Sequence, residues 1–218
     1  QDCAALGLTC PAAEVLLRDI AQLSRQGEAV LKIIVTRGTG QRGYAPPTDV
    51  HPTRIVATYP APLTVSSSLD LYLCQTRLSH QPRLAGIKHL NRLENVLAAQ
   101  ECQSVGKQEG LLCDEDGAVI SGTRSNLFVV TKGKLLTPDL SRCGVAGVQR
   151  ERVMDWAMAH DSPCEVSRLE LQDVLGAEEL FLVNSVFGIW PVRSLADKVY
   201  TKHRLADALR PWLNDAQN

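Results

Sequence analysis

Leu84-Ala85-Gly86-Ile87-Lys88-His89-Leu90-Asn91-Arg92-Leu93-Glu94 is the stretch on which the fold turns. A lysine stands between apolar neighbours, just after a loop, where an amphipathic helix is expected to begin. Leu90, Leu93, Val96 and Leu97 recur at helical spacing, which predicts a helix with one core-facing side. A cation at a helix N-terminus opposes the backbone dipole, and apolar neighbours disfavour the ammonium form further. Both effects predict a neutral amine, the form that attacks a carbonyl carbon. The same residues also suit an ordinary solvated lysine whose stem covers apolar surface. The remainder of the chain separates these alternatives.

Upstream of the lysine, Pro82 marks an interdomain connection at residues 80–87. A smaller α+β domain is expected at 1–79 and a larger α/β domain at 88–218. In the first, Pro11 suits a helix start, and a helix to about Arg25 would bury Val15, Leu16, Ile20 and Leu23. Ala29–Thr36 reads as a buried strand, and Arg54–Tyr59 and Asp70–Leu78 as two more. Downstream, short strands are expected at 110–113, 118–120, 127–131 and 134–136, with Asp114-Glu115-Asp116-Gly117 and Lys132-Gly133 as turns. A helix at 147–160, strands near 165–167, 180–184 and 188–192, and a last helix at 202–212 complete the pattern. The chain opens on Gln1-Asp2-Cys3-Ala4-Ala5-Leu6-Gly7-Leu8, which reads like a helix already in progress, so part of the N-terminal domain is expected to be missing.

The totals narrow the function classes. The chain has 218 residues, 44% hydrophobic and 22% charged, enough for a sizeable core. A net charge of −1 offers no global field for nucleic acid or an anionic membrane. No apolar run has the length of a membrane span, and no signal-peptide pattern is present, so a cytoplasmic location is expected. The seven cysteines are scattered, odd in number and never in a C-x-x-C spacing, which favours free thiols over a disulfide framework. The five histidines form no metal-ligand spacing and there is no Gly-x-Ser-x-Gly elbow, so neither a metal nor a serine triad is expected.

Four polar stretches are candidates for binding. Arg37-Gly38-Thr39-Gly40-Gln41-Arg42-Gly43-Tyr44-Ala45-Pro46-Pro47 carries two arginines and a phenol; it fits either a carboxylate grip or a solvated hairpin. Gly144-Val145-Ala146-Gly147-Val148-Gln149-Arg150 is a glycine-bearing turn leading into a helix, whose free N–H groups suit a phosphate. It lacks the Lys-Ser/Thr ending of a Walker loop. Ser121-Gly122-Thr123-Arg124-Ser125-Asn126 is a polar turn between strands, and Asn184-Ser185-Val186-Phe187-Gly188 follows an apolar strand.

Three stretches, 85–91, 122–128 and 144–150, resemble in order and spacing the fold-type IV pyridoxal-phosphate enzymes. Gly86-Ile87-Lys88-His89-Leu90-Asn91-Arg92-Leu93-Glu94 is most similar to the 4-amino-4-deoxychorismate lyase branch, with D-amino-acid and branched-chain aminotransferases as relatives. The resemblance implies the two-domain fold of that group, pyridoxal 5'-phosphate as cofactor, and Lys88 as Schiff-base lysine and proton shuttle. It implies that Val148, Gln149, Asn184, Ser185 and Val186 hold the phosphate. Ser121, Thr123 and Asn126 would sit beside the cofactor ring, and Arg42 and Tyr44 would receive the substrate carboxylate. The implied reaction is the lyase step of folate synthesis, aminodeoxychorismate giving 4-aminobenzoate and pyruvate, carried out by a homodimer. The alternatives are an aminotransferase of the same fold and a non-catalytic partner-binding remnant. Two departures accompany the resemblance. Ser121 stands where the family usually places a glutamate against the pyridine nitrogen, implying a weaker electron sink suited to elimination. The family's phosphate-binding arginine lies just upstream of the segment matched by Gln1–Leu8.

Overall fold

In the computed structural model, residues 1–23, 27–46, 48, 51–62, 67–162 and 164–214 are described. The chain folds as two compact units, Gln1–Val65 and Ser66–Asn218. The first contains α1 (Asp2–Ala5), α2 (Ala13–Ala21) and the antiparallel pair β1 (Ala29–Thr36) and β2 (Thr53–Pro60). Ala29 pairs with Pro60 and Thr36 with Thr53, so every residue of the predicted first strand is in register. That strand is half-buried rather than buried, with Lys32 and Ile33 exposed, because a two-stranded ribbon leaves surface open on both faces. Val15, Leu16 and Ile20 turn the half-buried face of α2 inward, and Arg54 Nε donates to Asp19 Oδ2 at 2.6 Å. The helix begins at Ala13 rather than at Pro11. Its expected end near Arg25, like Pro47 of the arginine-bearing loop, lies outside the described residues.

The second unit is built on a nine-stranded mixed sheet. Its strands are β3 (Leu69–Leu78), β4 (Glu109–Asp114), β5 (Val119–Gly122), β6 (Asn126–Thr131), β7 (Lys134–Pro138), β8 (Cys164–Ser167), β9 (Glu179–Asn184), β10 (Gly188–Leu195) and β11 (Lys198–Val199). The order is β5-β4-β3-β10-β9-β6-β7-β8, with β11 on β10; β3 runs parallel to both β4 and β10. The expected domain boundary after residue 79 therefore shifts. A strand hydrogen-bonded on both edges within this sheet cannot belong to the first unit, and the division falls at Val65–Ser66 instead.

Helices α3 (Leu93–Ser104), α4 (Val148–Ala159), α5 (Leu171–Leu175) and α6 (Arg204–Asn214) cover the sheet. β4, β6 and β9 are near-continuous apolar runs because both of their faces are covered. Phe128 and Phe181 stack at 5.2 Å in one cluster with the buried Val153 and Ala157 of α4, against which Trp156 is partly buried. No helix among the described residues is long and apolar enough to cross a membrane.

Helix α3 departs from expectation. It starts only at Leu93, and Leu90, Leu93, Val96 and Leu97 are exposed. Its inward face is Ala98 and Cys102, small residues that let the helix lie close to β3 and β4. Gly110 makes that approach possible: a Cβ there would stand 2.4 Å from Cys74 Sγ and 2.6 Å from Cys102 Sγ. Helical spacing alone does not say which of two stripes is buried, and here small side chains won the inner position.

Asp70 fastens β3 to β10. Arg193 Nε donates to its Oδ1 at 2.8 Å and Ser194 Oγ to the same oxygen at 2.6 Å. The Arg193 guanidinium, with the Ser194 hydroxyl and Lys107, holds the Asp70 carboxyl well below the usual carboxylate range, outweighing burial. A depressed carboxylate contributes stability that is present above its unfolded pKa of about 3.9 and is lost as pH falls below it. Asp70→Asn should cost about 1 kcal/mol at neutral pH, discounted because Arg193 is largely exposed, which is roughly 2–4 °C in Tm. It should also flatten the loss of stability on acidification below about pH 4. Thermal unfolding scans from pH 7 to pH 3 on both proteins check this; parallel curves would remove Asp70 from the balance.

Candidate functional site

The lysine-bearing segment is irregular backbone held by hydrogen bonds rather than the first turn of a helix. Gly86 N–H donates to Gly144 O at 3.1 Å, and Ala146 N–H donates back to Gly86 O at 2.9 Å. Gly86 and Val145 thus form an isolated parallel bridge, joining the segment to the turn that precedes α4. Arg92 closes the other side: its Nη2 donates to Ile87 O and its Nε to His89 O at 3.2 Å, so one guanidinium spans both carbonyls flanking Lys88. Asn91 N–H donates to His89 Nδ1 at 3.2 Å, and Ser79 N–H donates to Glu94 Oε1 at 2.9 Å. Ile87 is buried, but Lys88 is exposed and is not enclosed by its apolar neighbours. The expectation of a lysine shielded by apolar neighbours where a helix begins is therefore corrected on both counts: α3 starts beyond it, and its side chain emerges from a braced loop.

Asn126, the first residue of β6, connects the polar turn to the same place. Its Nδ2 donates to Val145 O at 2.7 Å and its Oδ1 accepts the Gly147 N–H at 3.2 Å. A Cβ at Gly147 would meet Asn126 Oδ1 at 2.4 Å, so the turn and the amide fit only with glycine there. Gly147 is the N-cap of α4, and no side chain caps that helix. Val148 is exposed and Gln149 half-buried at its first turn. The uncapped N–H groups of a twelve-residue helix form an electropositive end suited to a phosphate. Arg150 follows inside the helix, donating to Thr137 Oγ1 and Pro138 O, each at 3.1 Å; burial pushes its guanidinium below the ordinary value.

Ser121 and Thr123 are buried, and they are turned to structural use. Ser121 Oγ donates to Gly122 O at 2.9 Å. Thr123 donates through N–H and Oγ1, each at 2.5 Å, to Glu109 Oε1, while Arg124 Nε reaches Glu109 Oε2 at 3.1 Å. Thr123 O accepts from Asn95 Nδ2 of α3 at 2.8 Å. Ser125 Oγ is buried and has no hydrogen-bond partner among the described residues. Asn184 reaches the same turn, donating to Arg124 O at 3.1 Å, and its Oδ1 accepts the N–H groups of Val186 and Phe187. Ser185 and Val186 are exposed on that turn. Thus the Lys88 segment, the turn at 121–126, the approach to α4 and the turn after β9 form one hydrogen-bonded frame within the second unit. Arg42 and Tyr44 belong to the first unit and are both exposed; Tyr44, with Arg37 and Gly38, lines a shallow polar hollow.

Three supporting residues went unnoticed in the sequence as parts of this frame. Glu109 is fully buried at the start of a strand, and Asn95 is a polar residue on a helix. Arg92 was distinguished only as part of the motif that carries the resemblance. A buried carboxylate in an apolar run is a usable signal, since such groups are retained where they are paired. Asn95 gives no such signal.

The donor set suits pyridoxal phosphate: an uncapped helix end for the phosphate, and a primary amine on a segment bonded to that helix's approach. Comparison with known proteins agrees with the geometry. A solved 4-amino-4-deoxychorismate lyase from Pseudomonas aeruginosa superposes with a TM-score of 0.89 at 42% identity, covering 99% of this chain and 81% of that one. An aminodeoxychorismate lyase of Vibrio harveyi is 35% identical over 172 residues, 77% of this chain and 64% of the relative. A putative branched-chain-amino-acid aminotransferase of Methanocaldococcus jannaschii is 29% identical over 83% of this chain and 63% of the relative. The chain thus spans just under two thirds of the length of these two curated relatives. The amino-transferase class IV family matches residues 1–195. The chain belongs to the amino-transferase class IV family.

Proposed function

We propose that this chain is a pyridoxal-phosphate-dependent lyase that converts 4-amino-4-deoxychorismate to 4-aminobenzoate and pyruvate, in folate synthesis. The observation that carries this proposal is the bonding of the Lys88 segment to the turn preceding α4, in a chain 42% identical to a solved enzyme of that name. When bound, pyridoxal phosphate supplies an electron sink for a carbon bearing an amine.

The rest of the chemistry falls to the protein. Val148 and Gln149, on the uncapped end of α4, with Asn184, Ser185 and Val186, hold the phosphate. Asn126 keeps that turn and the Lys88 segment in one register. Arg92, through two backbone carbonyls, limits the travel of Lys88. Lys88 Nζ takes the proton from the amine-bearing ring carbon of the substrate and later releases the product. The enolpyruvyl group leaves with its oxygen from the adjacent carbon and takes up a proton to become pyruvate; the ring becomes aromatic, which makes the step effectively irreversible. Arg42 and Tyr44 orient the substrate carboxylates. Ser121, where a glutamate is usual, carries no charge to hold a protonated pyridine nitrogen; that suits an elimination pulled by aromatisation. The working form in this proposal is a cytoplasmic homodimer.

Adding pyridoxal phosphate should produce a visible absorption band, and borohydride followed by peptide mapping should leave the adduct on Lys88. A pyruvate-coupled assay with aminodeoxychorismate then tests the substrate. Turnover that instead requires 2-oxoglutarate would identify an aminotransferase. Lys88→Ala should abolish both the band and pyruvate release, and retention of either contradicts its role. Arg42→Ala should raise KM on the order of tenfold with a smaller change in kcat, so an unchanged KM removes Arg42 from the carboxylate site. Asn126→Ala should weaken cofactor binding by about tenfold, the equivalent of one lost hydrogen-bonding group, read as a shifted midpoint in cofactor titration.

A further inference from the structure

Beneath the Lys88 segment lies a cluster that the proposed reaction does not use. His80 follows β3, Asp114 ends β4, and Cys143 lies in the loop between β7 and α4. Their ligand atoms, one nitrogen, one oxygen and one sulfur, all lie within 4.8 Å of one another. Asp114 and Cys143 are 2% and 6% exposed, and the His80 side chain 9%. Three such groups converge in the interior although no spacing in the sequence links them.

The imidazole is the informative member. His80 Nε2 is 2.9 Å from Asp114 Oδ2, and His80 Nδ1 is 2.7 Å from Glu115 Oε1. A neutral imidazole has one N–H, so it can donate to only one of these carboxylates. An imidazole with both nitrogens protonated donates to both carboxylates, and one with a single proton suits a metal site: Nδ1–H donates to Glu115 while the Nε2 lone pair binds a cation shared with Asp114. A carboxylate behind a metal-bound histidine is the usual outer-shell partner. Asp114 is already braced as a ligand, since its Oδ1 accepts the Ala118 N–H at 2.8 Å. The set of one nitrogen, one oxygen and one sulfur excludes the hard cations and suits a borderline ion of the zinc class. Zinc bond lengths of about 2.0–2.3 Å put tetrahedral ligand atoms roughly 3.3–3.7 Å apart, so the three atoms need shifts of about an ångström. The fourth position falls to water.

We propose that His80, Asp114 and Cys143 form a binding site for a zinc-class divalent ion, with Glu115 as the partner of His80. The ion displaces the Cys143 thiol proton, which passes to solvent, and bonds the thiolate sulfur. Bound there, it fastens the stretch leading to Lys88 to the loop leading into α4. Those two stretches already share the hydrogen bond from Gln81 N–H to Arg142 O at 2.9 Å.

Cobalt(II) titration of the full chain, free of chelator, tests the site through the thiolate-to-cobalt charge-transfer band. The wild type should saturate at one equivalent, and zinc should displace the cobalt and remove the band. Cys143→Ser should lose the band, and His80→Gln should weaken binding by tenfold or more. Glu115→Gln alters only a largely exposed side chain, so it keeps the interior intact; it should weaken binding several-fold with the band retained. Cys102→Ala, which breaks the neighbouring buried thiol pair, should leave band and stoichiometry unchanged. The proposal is overturned by absence of a saturable band in the wild type, by a band that survives Cys143→Ser, or by one lost in Cys102→Ala.

Discussion

Two backbone hydrogen bonds, between Gly86 and the Gly144–Ala146 stretch, decide where the lysine stands. They join pieces of chain far apart in sequence and bring an irregular loop beside the first turn of a helix. Loop backbone cannot satisfy its own donors and acceptors, so it takes partners where the fold offers them. Here the partner is the very turn that leads into the uncapped end of α4. Asn126 then fixes the turn by accepting from Gly147 and donating to Val145. The first turn of α4 and the backbone at position 88 are therefore held to one frame by main-chain geometry, with the side chains of Arg92 and Asn126 as its outer braces.

Most of the second unit was legible because its strands are short apolar runs between turn signals. β6 and β9 fall within a residue of their expected bounds, since Leu127–Val130 and Leu180–Val183 leave few other choices for chains covered on both faces. Helix α5 was not legible: five residues are too few to show a period, although Glu170 and Asp173 form a capping box around it. The boundary after residue 79 failed because a proline in a loop says that a helix or strand stops, not that a domain does. Strand β3 lies before that proline and is paired within the same sheet as the strands after it.

The segments expected to form the site are ones the structure brings together, in surroundings the sequence did not show. Lys88, Asn126, Val148 and Asn184 were identified by resemblance, and the structure brings their segments together. What could not be read was which side of α3 faces inward. Leu93, Val96 and Leu97 outweigh Ala98 and Cys102 on any hydrophobicity scale, yet a helix pressed against β3 and β4 has room only for small side chains where Gly110 meets Cys74 and Cys102. Close approach selects by volume, and periodicity carries no information about volume. The reversed helix also removes the enclosure expected for Lys88, leaving the braced loop, rather than burial, as what defines the position of that amine.

The same limit explains why the histidines were dismissed as ligands. Metal-site spacings are legible when neighbouring residues in one turn or hairpin supply the ligands. His80, Asp114 and Cys143 come instead from three separate segments, each a chain end where a strand stops or a loop turns. Parallel pairing of β3 with β4 puts their C-terminal ends side by side, which is what places His80 against Asp114. Cys143 joins them because its loop must return to the same edge to deliver Gly144 to Gly86. One topological fact, two parallel strands ending together beneath a loop that crosses over them, therefore accounts both for the frame that carries Lys88 and for the polar cluster under it. A change that loosens either should be felt by the other.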